Sequence, residues 1–318
     1  MSEQAPRRRR GRSRPSPLPP RDGVDATRVV LRAGPEISLG QCLQMIPALA
    51  QLTPDGLAQR AARGEIVDAD GRALSLDEPS RRNTSIYLYR DLPDEVPIPF
   101  DLPILYRDEN IVVVDKPHFL ASMPRGAHVT QTALVRLRRQ LGSDAVAPAH
   151  RLDRLTAGVL LFTLRQPVRG AYQELFAQRR AEKEYRALAP PADFTGTQVV
   201  RNRIEKTAGD LRARVVEGPV NAISEITEIA RTDAGSVYRL IPHTGRTHQL
   251  RLHMAQNGVP IVGDPLYPEV RPELAQRPDC GDFAEPLRLI AHTLSFTDPL
   301  TGQRRRFESR RTVTDRYC

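Results

Sequence analysis

The chain has 318 residues, of which 40% are hydrophobic and 27% charged, and it carries a formal net charge of +9. No apolar run approaches the ~18 residues that a membrane span needs, so we expect no membrane association. The first residues lack the apolar core of a secretory signal peptide. The three cysteines are odd in number and widely spaced, which favours a cytoplasmic protein over a disulfide framework. The positive charge predicts a polyanionic partner.

Much of this charge lies near the N-terminus. Residues 1–22 contain seven arginines against Glu3 and Asp22. The stretch "PRRRRGRSRPSPLPP" has almost no apolar residues to offset the entropy of ordering the chain. We therefore expect residues 1–25 to form a disordered basic arm. The arm either makes non-specific contacts with phosphates or acts as a solubilising tail, and the sequence leaves both functions open.

Residues 26–90 are predicted to form a small α+β domain. Helical spacing in "SLGQCLQMIPALA" and "TPDGLAQRAARGEI" predicts two helices, with Ser38 and Thr53 as N-caps. An Asp-Gly turn in "EIVDADGRAL" and a strand in "SIYLYR" follow. Two helices followed by a hairpin resemble the S-four-type RNA-binding domain, and the resemblance implies a degenerate domain of that type. Four prolines mark residues 91–103 as a linker.

Residues 104–318 are rich in predicted strands that are often joined by short turns. This pattern predicts an α+β fold with a mixed, mainly antiparallel sheet and flanking helices. The strands lie in "ILYRDENIVVVDKP", "GVLLFTL", "EYRALA", "AISEITEIARTDAGSVYRLIPHTG" and "LIAHTLSFTDPLTGQRRRFES". The helices lie in "TQTALVRLRRQLG", "GAYQELFAQRRAEK" and "GRTHQLRLHMAQNG".

Motifs for common cofactors and metals are missing from the sequence. No Gly-x-Gly-x-x-Gly follows a strand, and no Gly-Lys-Ser/Thr phosphate-binding motif occurs. The histidines His243, His248 and His253 follow one another at intervals of five residues. That interval separates neighbours by roughly 140° around a helix, whereas a zinc-binding helix needs both histidines on one face. We expect neither a metal nor a cofactor.

Charged residues in "HRLDRLTAGVLLF" place Asp153 between Arg151 and Arg154, at the entrance to an apolar strand. An aspartate in this position is commonly a turn residue satisfied by nearby N–H groups. Three further segments suggest more than a turn, and one of them, "VVVDKP", ends a strand in Asp-Lys-Pro. In "EKEYRAL", Tyr185 lies in a strand between charged neighbours, although strand tyrosines usually belong to the core. In "HTGRTHQLRLHM", Arg251 lies on a predicted helix.

These segments, in this order, resemble the RluA-type pseudouridine synthase family. The central motif of that family is His-Arg-Leu-Asp, two variable residues, Thr-Ser/Ala-Gly and an apolar run, which residues 150–161 match at each fixed position. The Lys183-x-Tyr185 pair matches a second motif, and residues 245–267 match a third. The resemblance extends over about residues 104–307.

Two segments depart from the pattern of the family. His118 and Phe119 stand after Asp-Lys-Pro where small residues are usual, and residues 269–285 form an additional loop. Neither departure affects a residue to which the family assigns chemistry. The degenerate N-terminal domain leaves the identity of the target RNA open.

The resemblance implies an isomerase that breaks the glycosidic bond of a uridine, turns the base over and rejoins its carbon 5 to the sugar, without a cofactor. It assigns the catalytic carboxylate to Asp153, with the Arg251 guanidinium as the partner that keeps it ionised. Tyr185 would stack on the uracil and lie where a base must take the proton from carbon 5. The target base must flip out, and Arg151 would fill the space that it leaves. Further RNA contacts are expected from Arg154, Lys183, Arg246 and His248.

Two alternative functions stay open. One is an RNA-binding or ribosome-assembly protein that has the fold without the activity, although binding alone does not require Asp153, Tyr185 and Arg251. The other is a different RNA-acting enzyme, such as a nuclease or methyltransferase, for which the sequence shows neither carboxylate clusters nor a Gly-rich loop. The extra domain and the basic arm suit a large structured RNA, which favours ribosomal over transfer RNA. We expect a monomer.

Overall fold

The computed structural model describes residues 16–315, and the chain divides into two compact units, Met1–Leu92 and Pro93–Cys318. The predicted basic arm lies outside the described residues up to residue 15. Residues 16–25 pack against the N-terminal unit, because Arg21 forms an ion pair with Glu65 at 2.6 Å and its guanidinium lies 3.5 Å from the centre of the Tyr89 ring. Val24 is buried. The predicted boundary of the arm at residue 25 is therefore too late.

The N-terminal unit combines a three-stranded antiparallel sheet, in the order β1-β3-β2, with two short helices. The predicted N-caps are confirmed, since the side chains of Ser38 and Thr53 accept hydrogen bonds from Gln41 N and Gly56 N. Apolar residues from both helices and the sheet form a core of their own. The elements are β1 (Thr27–Val30), α1 (Leu39–Gln44), a 3₁₀ turn (Pro47–Leu49), α2 (Pro54–Ala62), β2 (Ile66–Val67) and β3 (Ser85–Leu88).

The C-terminal unit is built around an 11-stranded sheet whose main path runs β10-β9-β11-β12-β8-β13-β7-β5-β4. Two further strands, β14 and β6, pair with β13 and β7. The strands are β4 (Ile104–Arg107), β5 (Ile111–Lys116), β6 (Ala147–Pro148), β7 (Ala157–Thr163), β8 (Glu182–Ala189), β9 (Thr197–Glu205), β10 (Arg214–Val216), β11 (Ala222–Thr232), β12 (Gly235–Pro242), β13 (Leu289–Thr297) and β14 (Arg304–Glu308). The helices are α3 (Ala133–Leu141), α4 (Arg169–Ala177), α5 (Gln249–Gln256) and α6 (Pro272–Gln276), with 3₁₀ turns at Gln166–Val168 and Arg277–Cys280.

The mixed, mainly antiparallel sheet and flanking helices that the sequence predicts are confirmed. Among the strands described, β7 and β13 form the single parallel pair. Within residues 16–315, no helix is both long and apolar enough to cross a membrane.

A row of paired residues crosses the middle of the sheet and brings the predicted motifs together. Ala291 on β13 pairs with Gly158 on β7 and, on its other side, with Tyr185 on β8. Gly158 pairs in turn with Lys116 on β5. A Cβ atom at Gly158 would lie 2.2 Å from the Ala291 carbonyl oxygen, and φ is +110°, so only glycine permits this approach. The close approach places the loop before β7 beside Tyr185.

Three sequence predictions differ from the structure at element boundaries. The helix predicted to reach Lys183 ends at Ala177, because Arg179 adopts a left-handed backbone with φ of +58°. Helix α5 begins at Gln249 and not at Gly245. Strands β9 and β10 were not predicted, since most residues of β9 are polar or charged and the 3 residues of β10 are exposed.

Candidate active site

A cavity of about 340 Å³ opens where the loop before β7, strand β8 and the segment leading into α5 meet. The polar side chains around it come from all three matched motifs. Seven of the eight predicted site residues line it, namely Arg151, Asp153, Lys183, Tyr185, Arg246, His248 and Arg251. The eighth, Arg154, does not.

Asp153 lies on a loop whose backbone is held by the segment that follows β5. The Ser122 hydroxyl donates to the Leu152 carbonyl at 2.8 Å and accepts from the Leu152 N–H at 2.9 Å. The His118 ring is buried and its Nδ1 lies 2.7 Å from the Leu155 carbonyl. Burial lowers the pKa of His118 to about 3. The neutral ring therefore donates its Nδ1–H to the Leu155 carbonyl, which fixes the loop on the C-terminal side of Asp153. His118, which departs from the family pattern, therefore has a positioning role.

Lys116 also holds the loop that carries Asp153, and it was not predicted as a site residue. Its side chain is fully buried, and Nζ donates to the carbonyls of Pro117, Leu120 and Arg154 at 3.0, 2.7 and 3.2 Å. Burial lowers the pKa of Lys116, whereas the nearby Asp153 carboxylate raises it. The Asp-Lys-Pro motif at the end of β5 was the signal that could have identified this residue.

His150, the first residue of the central motif, anchors the start of the loop. Its Nε2 accepts a hydrogen bond from the Leu161 N–H at 3.2 Å, and its ring stacks on Phe176 with 4.2 Å between the ring centres. Burial, with a smaller effect of the Lys183 charge, lowers the pKa of His150 to about 3. The ring is therefore neutral at physiological pH and acts as a structural acceptor.

Tyr185 lies on β8 and lines the cavity together with Asp153. Burial, and then the negative charge of Asp153, raise the pKa of the Tyr185 hydroxyl. The phenol therefore keeps its proton at neutral pH. Its ring packs at the edge of two apolar clusters, which fixes its orientation in the cavity.

Arg251 pairs directly with Asp264 and not with the predicted partner Asp153. Its Nε and Nη2 donate to the two carboxylate oxygens of Asp264 at 2.8 and 2.6 Å, and the side chains are 3% and 0% exposed. Burial lowers the pKa of Arg251, but the hydrogen bonds and charge of Asp264, followed by the charge of Asp153, produce a net rise. Arg251 thus acts on Asp153 through its electric field, while Asp264 fixes the position of the guanidinium.

Asp264 was not predicted as a site residue, although it lies within the third motif, in "VGDPLY". The Asp264 carboxylate also accepts hydrogen bonds from the backbone N–H groups of Leu266 and Tyr267, at 2.8 and 3.1 Å. At the preceding Gly263, φ is +75° and a Cβ atom would lie 2.2 Å from the Pro286 carbonyl oxygen. This tight turn directs the carboxylate at Arg251.

Gln249 at the start of α5 fixes the shape of the segment that carries Arg246. Its Oε1 accepts from the Thr244 hydroxyl and the Arg246 N–H at 2.8 and 3.0 Å. Its Nε2 donates to the Ile223 carbonyl and the Ser224 hydroxyl at 3.0 and 2.8 Å. Both polar atoms of the buried Gln249 side chain are therefore hydrogen-bonded, and these bonds fix the shape of this wall of the cavity.

His248 precedes α5 and lines the cavity beside Arg251. Its Nδ1 lies 3.1 Å from the Tyr267 hydroxyl. Burial, and then the charge of Arg251, lower the pKa of His248 to about 4, against a smaller opposing effect of Asp153. His248 is therefore neutral at physiological pH, and any contact that it makes with RNA is a hydrogen bond and not an ion pair.

Arg154 points away from the cavity that holds Asp153. Its Nη1 pairs with Asp279 at 2.8 Å, and it lines a separate cavity of about 260 Å³. Asp279 belongs to residues 269–285, the additional loop that departs from the family pattern. Arg151, by contrast, is exposed at the mouth of the Asp153 cavity.

Comparison with known proteins gives consistent matches. Residues 110–256, which include Asp153, Tyr185 and Arg251, match a family model described as RNA pseudouridylate synthase. The chain is 34% identical over 222 residues to tRNA pseudouridine synthase C of Pasteurella multocida, covering 64% of this chain and 88% of that protein. It is 31% identical over 231 residues to ribosomal large subunit pseudouridine synthase D of Neisseria meningitidis, covering 67% of this chain and 59% of that protein. The solved structure of human RNA pseudouridylate synthase domain containing 4 superposes with a TM-score of 0.51 at 25% identity, covering 65% of this chain and 87% of that one.

Proposed function

This chain belongs to the RluA-type family of RNA pseudouridine synthases, which are isomerases, and we propose that it isomerises specific uridines of structured RNA with Asp153 as the catalytic carboxylate. The observation that carries the proposal is the placement of Asp153 in one cavity with Tyr185 and beside the buried Arg251–Asp264 pair. The loop around Asp153 is fixed by hydrogen bonds, as preorganised catalysis requires.

The reaction requires a carboxylate at the sugar of the target uridine. The bond between N1 and C1′ breaks, the bond between C5 and C1′ forms, and the proton on C5 is exchanged for one on N1, so that the product is an isomer. Asp153 acts at the sugar either by attacking C1′ or by removing the 2′ proton. Both steps need the ionised carboxylate, whose charge interacts favourably with that of Arg251.

Arg251 is proposed as a positioning residue for this carboxylate. A guanidinium held by two hydrogen bonds to Asp264 cannot swing away when RNA enters the cavity. Its charge is therefore present at a constant distance from Asp153 throughout the reaction. Arg151 at the mouth is proposed to occupy the space vacated when the target nucleotide flips out of its stack.

Tyr185 is proposed to stack on the flipped uracil and to mediate removal of the C5 proton. Because its pKa is raised, the phenolate is scarce at neutral pH. The hydroxyl therefore accepts the C5 proton as it passes its own proton to solvent water, and N1 gains a proton from solvent. We predict that Tyr185→Phe binds RNA within about threefold of wild type, because the ring is kept, and lowers the single-turnover rate by at least about a hundredfold. Single-turnover kinetics at saturating enzyme measure this. A rate near that of wild type would limit Tyr185 to stacking.

We propose ribosomal RNA as the target in preference to transfer RNA. The names of the relatives include both transfer RNA and ribosomal RNA enzymes, and they therefore do not decide between the two substrates. The preference for ribosomal RNA is supported instead by the N-terminal unit, Met1–Leu92, and by the basic residues at its start. The test is chemical mapping of pseudouridine in ribosomal and transfer RNA from a strain that lacks the gene. Loss of a site that the restored gene returns identifies the target. Unchanged modification in both RNAs would favour the alternative of an inactive RNA-binding protein.

The basic N-terminal residues should contribute to affinity but not to chemistry. Residues 1–15 contain six arginines, and residues 16–25 are to be retained because they pack on the N-terminal unit. We predict that deletion of residues 1–15 weakens RNA binding and flattens the plot of log affinity against log salt, by roughly 0.7 to 0.9 for each phosphate that these arginines neutralise. The single-turnover rate at saturating enzyme should not change. Replacing the six arginines by glutamine should reproduce the effect at constant length, whereas an unchanged salt slope would indicate a solubilising tail.

A further inference from the structure

A second cavity of about 530 Å³ adjoins the active-site cavity, and we call it the flanking cavity. It lies between the end of α4 and strands β8 and β13, and most of its lining comes from residues 176, 177, 179, 181–184 and 241–246. Six residues line both cavities, namely Phe176, Lys183, Pro242, Thr244, Gly245 and Arg246. The two cavities therefore share a wall, and the volume of the flanking cavity is in the range that holds a small organic ligand, roughly 300–1,000 Å³.

Two carboxylates line the flanking cavity, and arginines outside the lining neutralise both. Glu184 pairs with Arg186 at 2.7 Å. Glu182 pairs with Arg304 on the neighbouring strand β14. These carboxylates are therefore not available to neutralise the cations of the cavity.

Three of the four arginines and lysines that line the flanking cavity lack such partners within residues 16–315. Arg306 donates to Glu308 at 2.9 Å, but none of the ion pairs formed within residues 16–315 includes Arg179, Lys183 or Arg246. Arg179 and Lys183 are close enough that the charge of Arg179, after the larger effect of burial, lowers the pKa of Lys183. Unneutralised cations that repel one another in a partly buried cavity favour binding of an anion.

Arg179 occupies a backbone position that normally belongs to glycine. At the end of α4, the Arg179 N–H donates to the Phe176 carbonyl at 3.2 Å and the Arg180 N–H to the Leu175 carbonyl at 2.8 Å. This is the Schellman arrangement, with Arg179 at the left-handed position, where φ is +58°. A side chain at this position destabilises the fold relative to glycine. An arginine that is unfavourable for folding and that lines a cavity with two further unpaired cations has the properties of a functional residue.

We propose that the flanking cavity binds the backbone phosphate of a nucleotide adjacent to the target uridine, and that Arg179 contacts that phosphate together with Lys183. The inference rests on the proposed function, because it takes the occupant of the active-site cavity to be a uridine in RNA. A single strand that leaves the active site across the shared wall would carry its next phosphate to these two cations. The contact would fix the register of the strand and would not read its sequence.

The substitution Arg179→Gly tests this proposal without damaging the fold. It removes the charge and supplies the residue that the left-handed position favours, so the melting temperature should not fall and can rise by up to about 2 °C. Affinity for fluorescein-labelled hexauridylate should decrease roughly fivefold at about 0.1 M salt, and the salt slope should decrease by about 0.7. The matched control is Arg180→Ala, which removes the same charge from the adjacent exposed residue outside the cavity lining. Arg180→Ala should change the affinity and the salt slope by less than half as much as Arg179→Gly does.

Pseudouridine formation by the wild-type protein on ribosomal and transfer RNA is measured in the same preparation. Failure of the wild type to form pseudouridine would overturn the proposed function and, with it, this inference. If the wild type is active, two results would overturn the inference alone. One is that Arg179→Gly binds hexauridylate with the same affinity and the same salt slope as the wild type. The other is an equal decrease in Arg180→Ala, which would indicate diffuse attraction to the surface.

Discussion

Asp153→Asn should abolish uridine isomerisation and leave the affinity for RNA within about threefold of wild type. The amide has nearly the shape of the carboxylate but can neither attack the sugar nor remove its 2′ proton at a useful rate. The substitution should be tolerated by the fold, because no ion pair formed by residues 16–315 includes Asp153 and the neighbouring cations keep their own partners. Single-turnover assays and thermal unfolding of the purified variant measure both effects. Turnover near that of wild type would remove Asp153 from the proposed mechanism.

Arg251→Met should have the second largest effect, on activity and on stability together. It leaves the Asp264 carboxylate buried without its cation, which destabilises a protein by about 3–5 kcal/mol. It also removes the fixed guanidinium whose charge interacts with that of Asp153 in the cavity, so the single-turnover rate should fall by at least about a hundredfold. The free energy of unfolding comes from denaturant titration and the rate from single-turnover kinetics.

The double variant Arg251→Met with Asp264→Asn separates the two effects. The asparagine introduced at this position is neutral, and its oxygen can still accept from the backbone N–H groups of Leu266 and Tyr267, so most of the stability should return. The activity should stay low because the cation near Asp153 is still absent. Recovery of activity together with stability would show that Arg251 has a structural role alone.

The sequence predicted those parts of the fold that depend on local chemistry. The side chains of Ser38 and Thr53 cap their helices, and Gly142 ends α3 in a left-handed conformation, as the residue types indicate. The strands of the C-terminal unit follow from runs of apolar residues. Arg179 shows the limit of local rules, because a left-handed residue that is not glycine gives no signal for the end of a helix.

The members of the candidate site were also predictable, but their partners were not. The three motifs identified Asp153, Tyr185 and Arg251, and the structure places all three at one cavity. The direct partner of Arg251 is decided by a tight turn 13 residues later in the chain, at Asp264, and a motif alone does not indicate which carboxylate that turn brings into contact. Arg154 was assigned to RNA because of its proximity in sequence to Asp153, but the additional loop places Asp279 against it.

The support of the Asp153 loop is a third feature that the sequence pattern did not reveal. Lys116 ends the buried strand β5 and His118 follows it, and both hold the loop through its backbone carbonyls. Any residue of the loop could supply a backbone carbonyl, so the sequence of the loop does not indicate that these hydrogen bonds form. These hydrogen bonds can be inferred only from the strand register that places β5 next to β7.

The central claim is that this chain catalyses the exchange of a carbon–nitrogen for a carbon–carbon glycosidic bond in RNA. Release of tritium from RNA transcribed with uridine labelled at carbon 5 tests it most directly when pseudouridine is measured in the same RNA, because carbon 5 loses its hydrogen when it is joined to the sugar. The purified protein, incubated with labelled ribosomal and transfer RNA, is predicted to release tritium over many turnovers and to form an equal amount of pseudouridine. Binding of these RNAs without any release of tritium would contradict the claim.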